Sequence, residues 1–295
     1  MIKLWLCCLA VLFCAACQTQ SPRRGLPDAG TCLVLDSDGA FDDVRAIAWL
    51  MRITKIDIVV LTEGISRPTF AQNALEKFWQ RAKIAVKDRP PVFIGHESRR
   101  KLDANWLKVR ERDERLNSSL ARPEAAKDIN RYGDADFTRR LAGCKKIDLL
   151  VLGPYSSAAG YLPALKARLG RVVVMGRRDE RDFNCWYDRG ACERFFSELG
   201  GGVDAVYVPD LEAGSAQYKF ETDDLKTFGK SDMALALATM FAADASGWRP
   251  GEMRMWDDLT VIFLFHPELF VKSVGPWIPR AEPKFFKGLW FSAFE

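Results

Sequence analysis

Six short apolar runs, at 32–35, 56–61, 92–95, 147–152, 171–175 and 203–208, most constrain what this chain can fold into. Segments at 44–53, 69–86 and 158–169, with apolar residues at helical spacing, lie between them. A strand buried on both faces reads as a continuous apolar run, and strands alternating with helices generate a parallel sheet covered on both sides. The expected fold class is therefore α/β, an open, mostly parallel sheet flanked by helices. Residues 99–122 carry dense charge, which suits a solvated helix or a mobile insertion better than core, and this stretch is expected to be the least ordered.

The first sixteen residues place Lys3 ahead of an apolar run that ends at Cys17, followed by polar residues. An apolar core of about a dozen residues is too short to span a bilayer roughly 30 Å thick, so it reads as an export signal rather than an anchor. Ala15 and Ala16 before Cys17 resemble a bacterial lipobox, in which the cysteine takes the lipid. The expected organisation is a lipoprotein signal peptide at 1–16, a tether at 17–30 and one large domain at 31–295, in the periplasm and attached to the membrane only through its lipid. Charge is nearly balanced, 43 basic against 39 acidic residues, and dispersed, so no nucleic-acid partner is expected. Of eight cysteines, Cys32, Cys144, Cys185 and Cys192 lie in the domain with no zinc spacing among them. Cys185 and Cys192 are spaced either to pair or to remain buried thiols. Five aromatic residues between 285 and 294 fit a core or interface role, and a homo-oligomer is compatible with that tail.

Asp36, Asp38, Asp42 and Asp43 put four carboxylates within eight residues at the carboxyl end of the first strand, where open α/β sheets place ligands. Like charges at about 4 Å repel by roughly 1 kcal/mol even in water, and by more when partly buried. A hard cation bound by oxygens, calcium above all, removes that cost. Helix capping explains Asp42 and Asp43 but not the other two. An EF-hand is excluded by Ala40 and Phe41. Asp36-Ser37-Asp38-Gly39 also fits the opening motif of haloacid dehalogenase phosphatases, with Asp36 as nucleophile and Ala40 in the usual Thr position.

Further segments favour another family. The run from Asp36 to Asp43 is similar to the Asp-x-Asp-Pro-Gly-x-Asp-Asp motif of the nucleoside hydrolases. Gln72-Asn73-Ala74-Leu75, Leu152-Gly153-Pro154-Tyr155-Ser156, Val174-Met175-Gly176, Asp182-Phe183-Asn184 and Trp256-Asp257-Asp258-Leu259 resemble further landmarks of that family in its order. The resemblance covers residues 33–270. It implies Ca2+ held by Asp38, Asp43, Ser156 and Asp257, with Ser156 acting through its backbone carbonyl. It implies Asp38 as general base toward water, and a substrate contacted by Asp42, Asn73, Met175, Asp182, Asn184 and Trp256. The implied activity is hydrolysis of the N-glycosidic bond of a nucleoside or related ribosyl compound, with a non-catalytic or differently specific sugar- or nucleoside-binding lipoprotein as the alternative. Trp256 stands where many members have a histidine. Gly64 is followed by Ile65 rather than Asn, the 99–122 stretch lacks the family's His-Gly loop, and the 176–182 segment is short.

Overall fold

A computed structural model describes residues 29–98, 100–117, 130–207, 218–247 and 253–295. The expected signal peptide, Cys17 and nearly all of the expected tether lie outside the described residues. Apolar sequence forms strands β1 (Thr31–Ser37), β2 (Ile58–Leu61), β3 (Val92–Ile94), β4 (Lys146–Val151), β5 (Leu169–Met175) and β6 (Asp204–Val206). The later β9 (Phe270–Lys272) and β10 (Trp277–Pro279) extend the same sheet, while β7 (Lys219–Phe220) and β8 (Met253–Arg254) pair separately. Strand order is β3-β2-β1-β4-β5-β6-β10-β9. Within this sheet all pairings are parallel except β10 with β9, so the expected α/β class holds.

Helices cover both faces. Alternation along β1 sends Leu33 and Leu35 to one side and Val34 to the other. The first side packs against α1 (Phe41–Ile53), α2 (Pro68–Arg81), α8 (Asp232–Gly247), α9 (Trp256–Phe265) and α10 (Pro283–Ser292). The second packs against α4 (Ala135–Arg140), α5 (Ser156–Leu165) and α7 (Arg189–Leu199). In the aromatic tail Phe286, Trp290, Phe291 and Phe294 are buried, as a core role requires, and Phe285 is exposed. The second expected helix stops at Arg81, and only a single 3-10 turn, Val86–Asp88, follows it.

Two findings depart from the sequence reading. The charged stretch after β3 is not simply a solvated element: α3 (Ala104–Asn117) buries Asp113 and Glu114, at 7% and 8% exposure. The domain is also cross-linked twice. Cys185 pairs with Cys192, and Cys32 pairs with Cys144 across 112 residues, clasping the start of β1 to the segment before β4. The second bridge was invisible to spacing, because only the neighbouring parallel strands β1 and β4 bring its ends together. Among the described residues, no helix is long and apolar enough to cross a membrane.

Candidate metal centre and active site

The site lies beyond the carboxyl ends of β1 and β4, at the first turns of α1 and α9. Asp42 and Asp43 occupy the first turn of α1, and Asp257 and Asp258 the first turn of α9. Anionic side chains are favoured there by each helix dipole. The two helices pack together, so their amino-terminal carboxylates meet: oxygens of Asp42, Asp43 and Asp257 all lie within 4.8 Å of one another. Asp38 joins through a side-chain hydrogen bond with Asp43, and Asp43 makes another with Asp257.

The loop after β1 fixes these groups in place. Ser37 Oγ donates to Asp43 Oδ1 at 2.5 Å, and Ala40 N donates to Asp43 Oδ2 at 3.2 Å. Asp38 accepts from Ala40 N at 3.3 Å and from Ile65 N, after β2, at 2.7 Å. The turn after β4 presses on it too: a Cβ placed on Gly153 would stand 2.7 Å from the backbone nitrogen of Asp38. Beneath the cluster, Arg45 on α1 and Asp258 on α9 form a buried ion pair at 2.8 Å, locking together the helices that carry the converging acids.

Burial raises the carboxyls of Asp38, Asp42, Asp43 and Asp257 above their usual range; neighbouring carboxylates push Asp38, Asp43 and Asp257 further, while the Arg45 and Arg112 guanidiniums hold Asp42 back. Carboxyl groups that hydrogen-bond to one another must share protons. Such a cluster is a site in which protons stand in for a cation. Asp257 Oδ1 is buried and has no hydrogen-bond partner, an expensive state for an oxygen unless something else engages it. An all-oxygen donor set from separate segments, with one oxygen left over, fits a hard divalent ion.

Asp36 falls outside this cluster, which corrects the reading of four clustered acids. Strand alternation turns it to the opposite face, where Asp36 Oδ2 accepts from Tyr161 on α5 at 2.8 Å. Fully buried there, it cannot serve as a phosphatase nucleophile in this pocket. Ser156 opens α5 and its hydroxyl donates to Asp188 at 2.8 Å. Asn184 is buried and donates to the carbonyl of Leu152 at 2.6 Å, bracing the Gly153 turn. Asp182 caps the short helix α6 (Phe183–Tyr187), accepts from Asn184 N at 3.0 Å, and is raised to about 7 by burial. Its carboxyl lies where a side chain on Gly176 would project, and Gly176 has φ of 105°. Only glycine suits that position. Met175 ends β5, Asn73 is half-buried on α2, and Trp256 is half-buried as the first residue of α9.

Sequence reasoning missed the groups on α3. Asp113 accepts from Phe41 N at 3.0 Å, capping α1 from another part of the chain, and its charge is felt by Asp38 and Asp42. Arg110 pairs with Glu63 at 3.1 Å and donates to the carbonyls of Gly64 and Ile65. Glu114 receives a two-pronged contact from Arg67 at 2.8 and 2.5 Å. Trp106 packs on Phe183 with ring centroids 4.5 Å apart, so α3 bridges the β2–α2 loop and α6 over the acids. A dense charge run gives no signal that Asp113 and Glu114 face inward.

An open parallel sheet whose strand ends carry a buried, oxygen-only acidic site defines an α/β protein built for cation-assisted chemistry on a small molecule. The family profile of the inosine-uridine preferring nucleoside hydrolases matches residues 33–282, and the chain belongs to that family. The inosine-uridine preferring nucleoside hydrolase of Bacillus anthracis is similar in structure, with TM-score 0.63 and 16% identity over 89% of this chain and 98% of that one. So is the purine-preferring ribonucleoside hydrolase of Gardnerella vaginalis, with TM-score 0.59 and 17% identity over 89% and 97%. The type III effector protein XopQ, solved with adenosine diphosphate ribose, has TM-score 0.63 at 12% identity over 92% and 96%. No curated protein matches the sequence.

Proposed function

We propose that this protein is a calcium-dependent N-glycosidase of nucleosides or related ribosyl compounds, exported and held to a bacterial membrane by a lipid on Cys17. The observation that carries the chemistry is the convergence of Asp42, Asp43 and Asp257 with Asp38 hydrogen-bonded to Asp43. Asp38, Asp43 and Asp257 would hold the ion with the backbone carbonyl of Ser156, and Asp42 stands close enough to share in it. When bound, the ion would acidify water and orient the ribose hydroxyls.

The chain's own groups supply the rest. Asp38 is held by two backbone donors with its carboxylate at the cluster, so it is positioned to take a proton from water attacking the anomeric carbon. The transition state resembles an oxocarbenium ion, which a ring of carboxylates stabilises. Asn73, Asp182, Asn184, Met175 and Trp256 would line the sugar and base. Paired cysteines support export, because disulfides persist in oxidising compartments.

Calorimetric titration of calcium into chelator-treated protein, with inosine and uridine hydrolysis assayed in parallel, tests the reading. Saturable binding together with metal-dependent release of base is expected, both lost in Asp43→Asn. Binding without turnover of any riboside would leave a sugar-binding lipoprotein, and no binding would overturn the proposal. Metabolic labelling with a radioactive fatty acid tests the anchor: label is expected on the native chain and absent from Cys17→Ser.

A further inference from the structure

A general base works only if its proton-accepting oxygen is held in line with the water it serves, and a displacement of about 1 Å can cost about 10²-fold in rate. Asp38 is held unequally by its two backbone donors. Ala40 N, from its own loop, lies 3.3 Å from Oδ1, while Ile65 N, from the loop after β2, lies 2.7 Å from Oδ2. The firmer hold therefore comes from another part of the chain. The Gly64–Ile65 peptide passes directly over the carboxylate: a Cβ on Gly64 would collide with Asp38 Oδ2, so only glycine lets the peptide come this close.

What fixes that peptide is Arg110 on α3. Within the loop Gly64 N reaches the carbonyl of Ser66 only at 3.3 Å, a long bond. Arg110 Nη2 donates to Gly64 O at 2.6 Å, Nε donates to Ile65 O at 3.1 Å, and Nη1 pairs with Glu63 Oε1 at 3.1 Å. One guanidinium thus places all three nitrogens on three consecutive residues. Tyr187 on α6 accepts from Nη2 at 3.1 Å, and the Arg110 side chain is only 12% exposed.

The Gly64 carbonyl and the Ile65 N–H belong to one planar trans peptide, in which the two bonds point in opposite directions. One end of that plane rests on Arg110 and the other on Asp38. A rigid fork fixes the tilt of such a plane, and a donor on the carbonyl also polarises the N–H opposite. A lysine, a single point charge, does neither as well. Fastening α3 does not require this fork, because Arg67 already grips Glu114 two residues past the Ile65 peptide. Resting on the hydrolase reading above, we infer that Arg110 is a positioning residue for Asp38, acting through the Gly64–Ile65 peptide to aim Oδ2 at the ion and the attacking water.

The test is calorimetric titration of calcium into chelator-treated native protein, Arg110→Lys and Glu114→Gln, with kcat and KM for inosine and uridine measured alongside. Arg110→Lys keeps the charge beside Glu63 and loses the fork. Its calcium affinity is expected to fall by about tenfold or more, the low end for losing a group that orients a metal ligand. Its kcat is expected to fall by about 10- to 10²-fold, with KM changed by less than about threefold. Glu114→Gln loosens α3 without touching Arg110, and its calcium affinity is expected to match the native value. Arg110→Gln, uncharged but able to reach one carbonyl, gives the same comparison if the lysine variant fails to fold. A folded Arg110 variant that binds calcium as tightly as the native protein overturns the inference and leaves the hydrolase reading intact. An equal loss of affinity in Glu114→Gln overturns it too, by making Arg110 a fastening of α3 and nothing more. Native protein that binds calcium but turns over no riboside ends the hydrolase reading, while the calcium comparison still decides the place of Arg110.

Discussion

The floor of the site and its roof are built by opposite means. The floor is local and internal: two helix amino termini deliver carboxylates, and a buried ion pair, Arg45 with Asp258, fixes the crossing of α1 and α9. The roof, α3, is borrowed from a charged surface helix and fastened by arginines at its edges, Arg110 to Glu63 and Arg67 to Glu114. A buried pair whose partners have no alternative in water is costly to break, while a pair with a half-exposed partner is cheap; Arg67, 48% exposed, makes the second kind with Glu114, and Arg110 with Glu63, at 12% and 11%, comes close to the first. The floor should therefore govern whether the protein works at all, and the roof which ligands it admits.

Removing floor acids should produce the largest effect. Asp257→Asn deletes a carboxylate that meets Asp42 and Asp43, and several kcal/mol of transition-state stabilisation depends on a correctly held ion, so kcat/KM should drop by at least about 10³-fold. Steady-state kinetics at saturating calcium measures it, and a fall under tenfold would remove Asp257 from the ligand set. Next comes the pair beneath. Arg45→Met strands the fully buried Asp258 carboxylate and should cost about 3–5 kcal/mol of stability by urea unfolding. The double variant Arg45→Met with Asp258→Leu should recover most of it. If the single variant is neutral, the floor is not held as argued.

How the two regions differ in legibility follows from the same contrast. Asp38, Asp42 and Asp43 are visible because a single short stretch carries them, whereas Asp257 is legible only through the resemblance of Trp256-Asp257-Asp258-Leu259 to a family landmark. The strands at 147–152 and 171–175 were equally plain, since burial on both faces leaves an unbroken apolar run. Asp36, in the same short stretch as the first three acids, departs from their cluster, because strand alternation sends it to Tyr161 rather than to its neighbours. Asp113 could not be found at all. It acts on Phe41 across 72 residues, and nothing in a charged helix marks which acid will cap another helix's first turn.

Asp182 caps α6, the helix on which Trp106 of the roof packs, and gives a pH dependence. Its carboxyl titrates near 3.8 when unfolded and about 7 when folded, because burial penalises the charge. Between those values the folded protein holds the proton more tightly, so stability is greatest at low pH and falls as pH rises from about 4 to 7. The upper bound is about 4 kcal/mol at 1.36 kcal/mol per pKa unit. Asp182→Asn keeps an oxygen that can accept from Asn184 N and carries no charge, so its stability should decline less over that window. Urea midpoints for both proteins at pH 4.5 and 7.5, in chelator, give the comparison; parallel declines would show that the acids of the floor alone set the slope.

The smallest effect on stability is expected at the roof. Arg67 is 48% exposed, so Glu114→Gln should change the free energy of unfolding by no more than about 1 kcal/mol. Yet that contact, with Arg110, positions α3 so that Asp113 reaches the first turn of α1. Loosening it should leave calcium affinity unchanged, because no ligand on α1 or α9 is touched, while KM rises and kcat changes less. A roof that only shields the site from water would show the reverse, a lower kcat at constant KM. The split between the two constants therefore decides whether α3 selects the ligand or merely covers it.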